Sequence, residues 1–139
     1  IYKTDLNGKE VPLDGFKVNT RLTEFLGAFW AYDIWGEEHV SLNLLNNWQN
    51  YPGVQPLRAI RYPTRWVQVS GVIRSGLVGN YTAAVLPVGM RPNQTEFFKV
   101  GTYNNGQAEV IIYPNGDIKV NNASNTTWVS LSGISFFAG

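Results

Sequence analysis

The stretch Trp66-Val67-Gln68-Val69-Ser70-Gly71-Val72 decides how the chain is read, because the chain returns to it. Near its end it becomes Trp128-Val129-Ser130-Leu131-Ser132-Gly133-Ile134. Both copies run tryptophan, valine, any residue, aliphatic, serine, glycine, aliphatic. Such residues suit a pleated, half-buried surface. Alternation in the first copy sets Val67, Val69 and Ile73 on one face and Gln68, Ser70 and Arg74 on the other. In the second copy Val129 and Leu131 share a face, but Ile134 and Phe136 fall on the opposite parity. A bulge at Ser132-Gly133 brings all four to the core, and glycine is the residue a bulge favours. The copies therefore read as two central strands of one β-sandwich.

The bulk numbers agree. A length of 139 residues suits a single domain. A chain of this size buries roughly two-thirds of its unfolded surface and needs no covalent staples. It has no cysteine, which removes disulfides, zinc-thiolate sites and cysteine nucleophiles together. High aromatic content (14%) with low charge (15%) fits a compact β protein rather than a disordered chain. A net charge of +1 makes no broad case for nucleic acid or a membrane surface. No apolar run is long enough to span a bilayer. The opening residues do not read as a secretory leader, and a chain that starts at Ile1 reads as a fragment of something longer. Charge is uneven: residues 1–40 hold seven acids and four bases, residues 41–139 three acids and seven bases. Opposite signs favour contact between the two parts, or between chains.

The first 40 residues read as a neck or lead-in, possessing mixed structure, and residues 41–139 as the sandwich. Asn7-Gly8 is a hairpin signal, and Pro12 limits the second strand of that hairpin to an edge. From residue 40 onward, strands are expected over 40–45, 57–62, 66–74, 81–86, 96–103, 108–113, 117–120 and 128–137. The segments 46–53 and 104–106 read as loops, and Pro114-Asn115-Gly116 as a hairpin turn. About eight short strands at regular spacing indicate an all-β, jelly-roll-like antiparallel sandwich behind a less regular N-terminal segment. The last strand is apolar enough to be central, with the chain end packed in the core.

Several of these motifs stand in an informative order. Asn47-Trp48 with Tyr51 comes first, then the first echo strand, then Leu86-Pro87-Val88-Gly89-Met90-Arg91-Pro92. Ala108-Glu109-Val110 with Pro114-Asn115-Gly116 follows, and the second echo strand closes the series with Ser135-Phe136. Over about residues 45–137 this order resembles the C-terminal head domain of bacteriophage tail fibres and baseplate receptor-binding proteins. The resemblance implies a jelly-roll-like head that forms a homotrimer at a phage tail tip or baseplate. It implies binding to a host cell-wall saccharide, and attachment to other tail or baseplate proteins through a preceding part of the polypeptide. It implies neither a nucleic-acid partner nor membrane insertion, and it does not fix the binding residues.

The chemistry available favours binding over catalysis. A triad needs a base beside its nucleophile, and His39 is the only histidine. One histidine with scattered carboxylates does not make a metal site, and no cofactor is expected. Asp33, Glu37 and Glu38 around His39 read either as a polar loop or as a sugar-binding cluster. A cell-wall glycan hydrolase using Asp33 or Glu37 is the least favoured alternative. A saccharide offers an apolar C–H face and a rim of hydroxyls. Aromatic rings cover the face, while amides, carboxylates or imidazole bond the rim. Three loops combine these types, giving Asp33, Trp35 and His39, then Trp48 and Tyr51, then Tyr103 and Asn105 as candidate ligand residues. Trp48 reads equally well as a cap on the sandwich. Trp66 and Trp128 read as structural. A purely structural trimerisation tip is the remaining alternative.

Overall fold

A computed structural model describes residues 36–139, together with the strands Lys3–Thr4 and Glu10–Val11. The chain divides into two compact units, Ile1–Glu37 and Glu38–Gly139. In the first unit, β1 (Lys3–Thr4) pairs antiparallel with β2 (Glu10–Val11), Lys3 opposite Val11 and Thr4 opposite Glu10. That pairing flanks the Asn7-Gly8 signal. Of residues 1–40, read as a neck or lead-in of mixed structure, all but these two strands and residues 36–40 lie outside the described residues.

The second unit is a two-layer antiparallel sandwich. Its strands are β3 (Glu38–Ser41), β4 (Gln49–Asn50), β5 (Arg58–Arg61), β6 (Trp66–Ser70), β7 (Val72–Arg74), β8 (Thr82–Val85), β9 (Glu96–Thr102), β10 (Gly106–Ile112), β11 (Asp117–Asn121), β12 (Val129–Ser130) and β13 (Ile134–Phe137). One sheet has the order β4-β7-β12-β9-β10-β11-β8, the other β13-β6-β5-β3. Side chains from both inner faces make one core. Ala59, Val67 and Val69 come from the smaller sheet, and Ile73, Val110, Ile112, Ile118, Val120 and Val129 from the larger. The expected all-β antiparallel sandwich is therefore what forms.

The two echo stretches explain how the layers are joined. The first runs as β6 in the small sheet, turns at Gly71 and continues as β7 in the large sheet. The second travels the other way, from β12 in the large sheet, through 131–133, to β13 in the small one. They pair antiparallel on both sides of the turn: Val129 opposite Ile73, and Ile134 opposite Val69 through Phe137 opposite Trp66. At the corner the Leu131 N–H donates to the Gly71 carbonyl at 2.8 Å, and the Gly71 N–H donates to Ser132 Oγ at 3.1 Å. The bulge expected at Ser132-Gly133 is thus a passage between sheets. It has the expected effect: Val129, Leu131, Ile134 and Phe136 are all buried. Counting each corner-turning strand once, and leaving aside two-residue β4, eight strands remain in this unit.

Three details differ from expectation. The strand expected over 40–45 stops at Ser41. Leu42 and Leu44 turn into the core, and the Leu45 N–H reaches the Ala83 carbonyl beside β8. The segment 46–53, expected to be a loop, contains β4, which pairs with β7. The last strand is not central. β13 lies at the edge of the small sheet, so Phe136 is buried while Phe137 stays largely exposed beside Trp66, ring centroids 4.6 Å apart.

The connection 86–92 follows from its residues. Gly89 at φ +98° closes a turn in which the Met90 N–H meets the Pro87 carbonyl. That turn drops Met90 into the core, and Arg91 Nε donates back to the Leu86 carbonyl at 2.8 Å.

Candidate functional site

Among the described residues, the hairpin β9–β10 borders an open, accessible surface. Phe98 and Val100 pack inward against the core, so alternation turns Phe97, Lys99 and Gly101 outward. Thr102 is buried, and the chain then makes a short 3-10 turn over Tyr103–Asn105. Asn104 and Asn105 both adopt positive φ, 61° and 60°. Asparagine tolerates that region better than most residues, because its short side chain bonds locally. The turn is held from behind by Asn125, whose Nδ2 donates to the Tyr103 carbonyl at 3.0 Å and whose Oδ1 accepts from the Thr127 N–H at 3.1 Å. The Tyr103 N–H reaches the Trp128 carbonyl at 3.3 Å, tying the turn to the strand beside it.

Beside this turn lies an open hollow of about 700 Å³, walled by Lys99, Gly101, Asn104, Asn105, Gln107 and Trp128. Tyr103 stands against Trp128 edge-to-face, centroids 6.5 Å apart, with half of its own surface exposed. The side-chain amides of Asn104 and Asn105 make no hydrogen bond to other described residues, so their donors and acceptors are available to a ligand. Among the described residues of the wall, Lys99 brings the only charged group, and none of them is a carboxylate. The hollow therefore combines an aromatic wall with amides and one ammonium, a set suited to neutral or anionic hydroxylated ligands.

The other candidates fall elsewhere. Trp48 is only 4% exposed; its indole N–H donates to the Leu77 carbonyl at 3.1 Å and its ring covers Gly76. A ring so enclosed offers no face to a sugar. Tyr51 is half-buried, with the Arg74 guanidinium 5.5 Å from its ring centroid. Arg74 ends β7, and β7 pairs with β12, so Tyr51 shares the sheet of Tyr103 without bordering the hollow. His39 lies on β3, at the far edge of the other sheet, with its Nδ1 3.4 Å from an Arg58 nitrogen. Asp33 and Trp35 lie outside the described residues. Of the expected residues, Asn105 borders the hollow and Tyr103 stands against its Trp128 wall, while Lys99, Gly101, Gln107 and Trp128 are added. Trp128 was hidden by its place on an echo strand. Gly101 carried a signal, since glycine inside a strand marks a bulge, a bend or a close approach.

No family model matches this chain, and no curated protein matches it in sequence. Among solved structures it is similar to the receptor-binding protein (gp15) of Listeria phage PSA. The TM-score is 0.73 at 20% identity, over 99% of this chain and 82% of that one. At that identity the likeness is one of fold, and the fold is the one that the ordered motifs of the sequence implied: that of a phage receptor-binding protein.

Proposed function

We propose that this chain is a phage receptor-binding module, an adhesin that attaches a virion tail to saccharide on the host surface through the hollow at the β9–β10 turn. The observation that carries the reading is the fold shared with a phage receptor-binding protein. The site is supported by the aromatic pair Tyr103–Trp128 set beside the free amides of Asn104 and Asn105. A sugar ring laid on Trp128 or Tyr103 buries its C–H face, while the amides and Lys99 bond its hydroxyl rim. Binding without cleavage is the proposed activity. Glycoside hydrolysis needs two carboxyl groups roughly 5–10 Å apart, and the described residues of this wall include none.

The protein acts as a homotrimer at the tail tip or baseplate in this reading. Saccharide sites of this open kind are weak singly, and linked copies raise avidity by about 10²–10⁴ without new contacts. The mass in solution tests the trimer: three times 15.5 kDa is expected, and a monomer counts against it.

Wall preparations from a panel of bacteria, Listeria included, test the receptor. The whole chain is expected to bind at least one of them and to block phage adsorption to the same cells. Tyr103→Ala is expected to lower that binding about tenfold, the upper range for one aromatic contact. A folded wild-type chain that binds no wall would falsify the reading.

A further inference from the structure

Building on the saccharide-receptor reading, we infer that the receptor is gripped as an extended oligosaccharide lying along the outer face of β9. It crosses Gly101 and reaches a second subsite formed by Phe97, Lys99, Ser130 and Ser132.

Gly101 is the first reason. A glycine inside a strand weakens it, and it is retained for a bulge, a bend or the close approach of another body. There is no bulge: β9 and β10 stay in unbroken register from Glu96 opposite Ile112 to Thr102 opposite Gly106. The backbone does not require glycine, since Gly101 is not among the residues with positive φ. Nor does the chain itself crowd it, because a Cβ there would meet no atom within 4 Å. What remains is an approach from outside, over an open floor.

The second reason is continuity. A further hollow of about 370 Å³ lies along β9 and is bordered by Phe97, Ser130, Ser132 and Gly133. It shares Lys99, Val100 and Gly101 with the hollow at the turn. Gly101 is therefore the threshold between the two. Any side chain there would stand in the passage.

The third reason is the chemistry offered along the way. β12 pairs with β9 only at Val129 opposite Thr102, and the chain then leaves for the other sheet. Tyr103 directs its N–H to the β12 side. Alternation then directs the main-chain groups of Lys99 and Phe97 to that same side. There β9 has no further strand partner among the described residues. These groups, with the Ser130 and Ser132 hydroxyls, offer donors and acceptors to a row of sugar hydroxyls. Phe97, 64% exposed, supplies a second ring for stacking. From Phe97 to Tyr103 the strand rises about 20 Å, at about 3.3 Å per residue. That is room for several sugar units.

The test uses wall polysaccharide from a strain the whole chain binds, partially hydrolysed and graded by length, titrated calorimetrically. Affinity is expected to climb about tenfold from the shortest bound fragment before levelling, as the second ring is reached. Gly101→Val is expected to keep the wild-type melting temperature, since a β-branched residue suits the strand, and to lose about tenfold or more on long fragments. Phe97→Ala, at an exposed position, is expected to bind the shortest fragment as wild type does while losing the gain with length. Affinity already maximal with the shortest fragment would overturn the inference. So would long-fragment binding unchanged in both variants. Either result leaves receptor binding standing, whereas a wild-type chain that binds no wall removes both.

Discussion

At the scale of single residues, two aromatic side chains of similar sequence context do opposite work. Trp48 and Tyr103 each sit among asparagines, yet Trp48 is enclosed and Tyr103 is half exposed. The difference lies in what reaches them. Gly76 lies so close under the indole of Trp48 that a Cβ there would fall 1.9 Å from a ring carbon. Trp48→Ala empties that space and is expected to cost about 3–5 kcal/mol in a urea titration. Gly76→Ala forces the ring out and is expected to cost about 1–3 kcal/mol. Tyr103→Ala removes only an exposed ring and its edge contact with Trp128, worth about 0.5–1.5 kcal/mol. Stability and wall binding, measured on the same three variants, should therefore separate. If Trp48→Ala unfolds no more easily than Tyr103→Ala, the assignment of Trp48 to the core is wrong.

At the scale of elements, the echo strands show how near-identical sequence meets unequal surroundings. Gly71 and Gly133 occupy matching places in the repeat, and both have positive φ, +137° and +95°. At Gly133 a Cβ would meet nothing within 4 Å, so Gly133→Ala is expected to cost only the backbone strain, about 1–2 kcal/mol. At Gly71 a Cβ would lie 2.6 Å from the Leu57 Cα, a backbone atom that cannot swing aside. Strain and overpacking add there, and Gly71→Ala is expected to cost about 3 kcal/mol or more. Thermal unfolding of the two variants checks the order. Equal losses would mean that the corners are packed alike, contrary to the contacts at Leu57.

At the scale of the whole molecule, the two sheets depend on partners far apart in sequence. The corner bond between Gly71 and Ser132 joins residues separated by 61 positions. β3 and β5, like β6 and β13, must also meet before the smaller sheet can cover the core. Closing such loops precedes the contacts that reward it, so folding of a sandwich of this kind is expected in about the millisecond-to-second range. Stopped-flow refolding tests this. Val69→Ala, at the centre of the small sheet and fully buried, is expected to lower stability by about 1–3 kcal/mol without altering the fold. A microsecond refolding phase carrying the full amplitude would contradict the long-range topology.

Much of the fold was written in local pattern. Alternation along 66–74, the stops at Pro87 and Pro114-Asn115-Gly116, and the regular spacing of short strand-like runs from residue 40 onward together determine a sandwich of short antiparallel strands. These are properties of neighbouring residues, and the side-chain period of two acts within one strand. The passage of both echo strands from one sheet to the other was not legible. It depends on where Gly71 and Gly133 find their partners, and a bulge and a corner leave the same trace in sequence: a glycine and a change of parity. The site was legible in part. The residue types of 103–106 announced a polar, aromatic turn, but the same reasoning applied equally to 46–53, and only burial of Trp48 against Gly76 separates the two. By itself, then, the sequence determined the β-sandwich and the chemical character of its loops, because both follow from short-range pattern and composition. The tertiary structure alone decided that the echo strands turn the corner together, that Trp48 belongs to the core, and that Gly101 opens a floor beside Trp128. Each of those depends on which distant atoms come within reach.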